Sequence, residues 1–202
     1  MRDSEEKGGF EMNKQYRRHF TNGSVQAWTG RDFNLMLAEA MKQNRKDYTA
    51  ILTLARYAGL RLEECFRIDV KDAEMALETG KLFVKGKYGA TRFVPINASI
   101  RIALRDALDD IPQRQKRLAT SSGKTLLAMR RLQGFIAYHR QSFTDQKITF
   151  YGLRYTFALE QYRKLTAWGF SGPAARRKVA ELLGEALDNV PRTNLSEGDR
   201  DV

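Results

Sequence analysis

The 202-residue sequence has one cysteine, two histidines and four prolines. No apolar run approaches the roughly 18 residues that a membrane span requires. A single thiol, Cys65, forms no internal disulfide. Together with His19 and His139 it falls short of a usual three- or four-ligand zinc site. A zinc enzyme is therefore not expected. Residues 1–7 lack the apolar core of a signal peptide, so the expected compartment is the cytoplasm and no membrane partner is expected. With 42% hydrophobic and 29% charged residues, the composition excludes a collagen-like rod or a disordered acidic chain.

Positive charge is abundant. Lys and Arg number 35 against 24 Asp and Glu, a formal net charge of +11, and the sequence pI is about 9.9. Such an excess favours a polyanionic partner, nucleic acid above all.

The polar residues 1–24, broken by Gly8-Gly9 and Asn22-Gly23, read as a flexible arm or linker remnant. Residues 25–195 read as one domain and 196–202 as a disordered tail. Thr29, with Asp32 three residues on, caps a helix whose Phe33, Met36, Leu37, Ala40 and Met41 share a face. A second helix from about Asp47 buries Ile51, Leu54, Ala55 and Ala58 and ends at Gly59, expected to be left-handed. Residues 81–85 and 91–95 form a hairpin with a basic tip, Gly86-Lys87-Tyr88-Gly89. A strand near 74–77 would complete a three-stranded sheet. Asn97 caps the next helix, which carries Ile100, Ala103, Leu104, Ala107 and Leu108. A basic connection over 113–123 leads to a helix through Met129, Leu132, Phe135 and Ile136. Further helices follow over 151–163 and 173–183. The fold class is α+β, mainly α, with a small three-stranded antiparallel sheet.

Ser122-Gly123-Lys124-Thr125 imitates the end of a phosphate loop, but Leu118 stands where that loop needs its first glycine and no strand precedes it. It reads as a polar turn. Taken singly, Arg61 is a salt-bridge partner of Glu64, projecting from a helix start, and Arg154 is a surface arginine.

Their order along the chain changes that reading. Gly59-Leu60-Arg61-x-x-Glu64 precedes the Gly-Lys hairpin with Arg92-Phe93-Val94-Pro95. Then come Tyr151-Gly152-Leu153-Arg154-Tyr155-Thr156-Phe157-Ala158 and Leu182-Leu183-Gly184. This series resembles the catalytic domain of tyrosine recombinases, the phage-integrase superfamily, over about residues 25–195. The resemblance implies a helical recombinase domain that binds double-stranded DNA, with an oligomer on DNA as a further expectation. It also implies DNA integration and recombination by strand breakage and rejoining through a 3′-phosphotyrosyl intermediate, with no metal or cofactor.

By motif position, Arg61 and Arg154 clamp the scissile phosphate, because two guanidiniums can neutralise the non-bridging oxygens of the phosphorane. Glu64 orients the first arginine. Lys87 donates a proton to the leaving 5′-oxygen; Lys85 competes for that role but is expected to lie in the strand. Three positions depart from the pattern. Tyr151 replaces the usual histidine before the second arginine, and Glu185 replaces the histidine or tryptophan after Leu-Gly. Asn194 stands at the family's usual interval to the nucleophile, and no tyrosine follows Tyr162. An amide cannot form the phosphoester, so the chain is expected to be inactive unless a partner supplies the tyrosine in trans. Two other functions remain open: a non-cutting DNA-binding regulator derived from an integrase, or a basic RNA- or protein-interaction module. Convergence of Arg61, Lys87 and Arg154 in one pocket separates them from the family reading.

Overall fold

A computed structural model describes residues 25–86, 91–112, 115–119 and 125–185. The expected arm over 1–24, the hairpin tip with Lys87, most of the 113–123 connection, Asn194 and the tail lie outside the described residues.

Helix α1 (Gly30–Lys42) starts as its sequence directs. The Thr29 hydroxyl accepts from the Asp32 amide at 3.1 Å, and the Asp32 carboxylate accepts from the Thr29 amide at 3.2 Å, which satisfies two helix-end donors reciprocally. Phe33, Met36 and Ala40 are buried, whereas Met41 is exposed. Helix α2 (Lys46–Ala58) is buried on nearly every side, with Ala50, Ile51, Leu52, Leu54 and Ala55 inaccessible. Each Leu or Ile so buried stabilises the fold by about 1.5–3 kcal/mol. Gly59 closes α2 with φ of 63°, as expected.

A short helix α3 (Leu62–Arg67) precedes α4 (Val70–Thr79). Residues 74–77, expected as a strand, belong to α4. The physical reason is a capping box at Asp69 and Asp72, whose amide donates to Asp69 Oδ1 at 2.8 Å. Ala73 and Ala76 then fall on the buried face at helical spacing. The sheet among the described residues therefore has two strands, β1 (Lys81–Lys85) and β2 (Thr91–Pro95), paired antiparallel. Leu82 lies opposite Val94, and Val84 opposite Arg92. These four residues share the inward face, so the pleat sends Arg92 towards the interior.

Helix α5 (Ala98–Asp109) is capped by Asn97 Oδ1, which accepts from the Ile100 amide at 2.9 Å. Helix α6 (Thr125–His139) buries Leu132 and Ile136. Helices α7 (Phe150–Ala167) and α8 (Gly172–Leu183) follow. The main core surrounds α2, which packs on α1, α5 and α7. A second cluster, Phe157, Tyr162, Leu165, Ala175, Val179 and Leu183, joins α7 to α8.

Residues just before α1 strap the start of α7. The Trp28 amide donates to Thr156 Oγ1 and its indole to the Thr149 carbonyl, both at 2.8 Å. A Cβ on Gly152 would run into the Gln26 carbonyl, so glycine allows the strap to pass. That contact fixes the turn from which Arg154 projects. No helix among the described residues is long and apolar enough to cross a membrane.

Candidate functional site

Four chain segments meet here: the residues that follow α2, the start of β2, the first turns of α7 and the end of α8. Arg61 is the residue before α3, in extended conformation. Glu64, in the first turn, reaches back so that its Oε2 accepts from the Arg61 amide at 2.8 Å. Its Oε1 accepts from Arg61 Nη1 at 3.1 Å. Arg92 comes in from β2 with both terminal nitrogens on Glu64, at 2.8 and 2.9 Å. This is the planar two-bond match between guanidinium and carboxylate. Glu64 thus holds two arginines.

Arg154 projects inward from α7 and is 2% exposed, so it is no surface arginine. Its Nη1 donates to the Gly59 carbonyl and its Nη2 to the Leu183 carbonyl at 2.9 Å. The end of α2 and the end of α8 are therefore tied through one side chain. Beyond α8, Gly184 adopts φ of 62°. Its amide donates to the Glu181 carbonyl and that of Glu185 to the Ala180 carbonyl, at 3.0 and 2.9 Å, the pair of hydrogen bonds of a Schellman turn. This turn delivers Glu185 into the cluster. Glu185 Oε1 accepts from Arg154 Nη2 at 2.7 Å and from Arg61 Nη2 at 3.3 Å. Arg61 Nη2 also donates to the Gly184 carbonyl at 3.3 Å.

The structure thus brings Arg61, Glu64, Arg154 and Glu185 together. Tyr151 occupies the first turn of α7, half-buried, one turn before Arg154. Lys85 lies in β1, 3.8 Å from Asp72 and half exposed. Arg92 was not singled out from the sequence as a site residue. The available signal was its place two residues before the buried Val94, on the strand's inward face.

Burial works against the Glu64 charge. The Arg92 hydrogen bonds and charge, the Arg61 amide and the Arg154 charge outweigh it and hold the carboxyl below its ordinary value. Burial pulls the Arg154 guanidinium below its ordinary value; Glu185 opposes this, and the Arg61 charge adds to it. Burial, assisted by Glu64, pushes the Cys65 thiol well up, so it is an inert core group.

The Glu64 shift has a definite sign in stability. A carboxyl whose folded pKa lies below its unfolded value adds stability that is complete above the unfolded value, 4.5. That stability fades as pH falls from there through the folded value. We expect the melting temperature of the parent to drop below about pH 4.5 more steeply than that of Glu64→Gln. Parallel curves from calorimetry between pH 3 and 7 would refute this.

A mainly helical domain with a small antiparallel sheet that gathers arginines from two helix starts and a strand has the architecture of tyrosine-recombinase catalytic domains. Solved structures agree. The fold is similar to that of XerA recombinase (TM-score 0.63, 17% identity, 90% of this chain and 66% of that one). It is also similar to lambda integrase residues 75–356 bound to DNA (TM-score 0.60, 15% identity, 90% and 64%). The catalytic domain of bacteriophage HP1 integrase matches with a TM-score of 0.51 and 16% identity, over 88% of this chain and 95% of that one.

The chain belongs to the phage integrase family, which it matches over residues 29–166. It is 34% identical over 80 residues to the TnP I resolvase of Bacillus thuringiensis, covering 39% of this chain and 28% of the resolvase. It thus spans less than a third of that curated relative.

Proposed function

We propose that residues 25–195 are the catalytic-type domain of a site-specific DNA recombinase that grips backbone phosphates of double-stranded DNA. The carrying observation is that the guanidiniums of Arg61 and Arg154 converge on one oxygen, 3.3 and 2.7 Å away. That is the arrangement that binds a non-bridging phosphate oxygen and neutralises charge as it develops in phosphoryl transfer. The meeting of Arg61 and Arg154, two of the three residues that separate the readings, argues against a basic RNA- or protein-interaction module, whose arginines have no reason to meet. Glu64 positions Arg61, Arg92 supports Glu64, and Lys87 supplies the proton to the leaving oxygen. Activity needs no metal in this scheme and takes place in the cytoplasm, with further copies assembled on the same DNA. Asn194 at the nucleophile position and Glu185 inside the clamp favour a chain that occupies DNA without cutting it, or one that cuts only with a tyrosine from a partner.

Binding of duplex DNA should weaken steeply with salt, the log–log slope gaining about −0.9 for each phosphate neutralised. Arg61→Ala should weaken it about tenfold, the loss of one charge-assisted contact. Arg177→Ala, on the exposed side of α8, should change it less than about twofold. Fluorescence anisotropy at several salt concentrations measures both. Salt-insensitive binding, or equal losses from the two variants, would overturn the proposal.

A further inference from the structure

The two acids of the arginine cluster are held differently. Both oxygens of Glu64 are used, by two nitrogens of Arg92, one of Arg61 and the Arg61 amide. Glu185 is almost as buried, its side chain 5% exposed, but among the described residues only Oε1 is bound, and Oε2 is buried with no hydrogen-bond partner. A buried carboxylate oxygen without a donor is costly and rare, so Glu185 is an imperfect counter-ion at a place built to hold an anion.

Charge fixes what else that place can hold. Among the described residues, Arg61, Arg92 and Arg154 set against Glu64 and Glu185 leave the cluster at +1. A phosphodiester carries the same single negative charge as the Glu185 carboxylate, with two non-bridging oxygens in place of two carboxylate oxygens. Swapping one for the other leaves the cluster at +1. Adding the phosphate beside Glu185 would instead bring the count to zero but set two anions against each other over the same guanidinium nitrogens, which Glu185 Oε1 already occupies.

We propose that Glu185 is a tethered stand-in for phosphate: it fills the pocket between Arg61 and Arg154 in the free protein, and a phosphate group enters only by displacing it. This rests on the phosphate-gripping reading above. Because the carboxylate is fixed by the Schellman turn at the end of α8, it competes at an effective concentration of millimolar or more. Free phosphate at low concentration loses that competition. A DNA backbone, concentrated at the surface by the net positive charge of the chain, displaces it. The pocket is thereby reserved for polymeric phosphate over small anions.

The test uses inorganic phosphate as probe, at constant ionic strength, with melting temperature as readout. Glu185→Gln keeps the size and an accepting oxygen, and Glu185→Ala empties the pocket; the two guard against a single variant that fails to fold. The parent should be indifferent to millimolar phosphate. Either variant should gain roughly 3–6 °C at a tenfold excess over its Kd, and Arg61→Ala placed on top of Glu185→Gln should abolish the gain. Duplex DNA should bind Glu185→Gln about tenfold more tightly than the parent.

A parent that responds to phosphate as strongly as the variants would show the pocket open all along and overturn the proposal. Folded Glu185 variants that ignore phosphate and bind DNA no better would overturn it too, with Glu185 then a structural counter-ion only. If Arg61→Ala still weakens DNA binding by the parent in either case, the phosphate-gripping reading survives. If it does not, both fall.

Discussion

Replacing Arg154 by alanine is expected to lower the unfolding free energy by about 3–5 kcal/mol, the range for breaking a buried ion pair by removal of one partner. Three acceptors lose their donor together: the carbonyls of Gly59 and Leu183 and the carboxylate of Glu185. The Glu185 charge stays buried beside a void, with Arg61 at 3.3 Å its remaining ionic partner among the described residues. For a chain of this size each kcal/mol is worth about 2–4 °C, so the melting temperature should fall by roughly 6–20 °C. Adding Glu185→Ala should restore part of the loss, because the stranded charge disappears; a coupling of about 1 kcal/mol or more is expected for residues in direct contact. Urea unfolding of both single variants and the double variant decides the matter. A loss below about 1 kcal/mol would mean that Arg154 is dispensable to the fold.

The largest effect on chemistry is expected at the nucleophile. On a nicked suicide DNA substrate, the chain as written should form no covalent protein–DNA adduct, because Asn194 offers no oxygen able to form a stable phosphoester. Asn194→Tyr supplies one, but Glu185 still confronts the developing phosphorane from within the arginine pocket. Glu185→His alongside it replaces an acceptor with a donor. A preorganised donor of this kind is commonly worth ~100-fold or more, so adduct should become visible on a denaturing gel in the double variant first and increase with Tyr151→His. A band from the unmodified chain would show that another residue attacks. No band from the triple variant would mean that the decay of the site reaches past these three positions.

Local chemistry in the sequence specifies much of the architecture. Thr29 with Asp32, Asn97 and Gly59 mark helix ends because caps act over three or four residues, and the structure follows them. The same kind of signal stands at Asp69 and Asp72, and the reading of a strand at 74–77 left it unused, so a helix was placed as a third strand. Arg61 beside Glu64 was equally local and appears as read. Arg154 shows where such reasoning stops. Taken alone it is one more arginine on a helix. Its burial comes from the carbonyls of Gly59 and Leu183, brought to it by long-range packing of α2 and α8. The order of motifs pointed to it where local pattern did not. Glu185 stood out as an acid in a place that favours donors. That it would reach the guanidiniums depends on the turn at Gly184, which only the packed helix places.

The division of the core between two clusters has a mechanical consequence. Helix α8 leans on α7, and its last turn meets the rest of the molecule at Gly59, Arg61, Arg92 and Arg154. The hinge side of α8 is oily and its free end is latched by charge. Bulk salt does little to a latch this buried, since screening acts weakly on ion pairs shielded from water. An anion that reaches the guanidiniums directly acts on it by competing for the same donors, and leaves the oily hinge untouched, so the end of α8 is held by contacts that a bound anion can exchange.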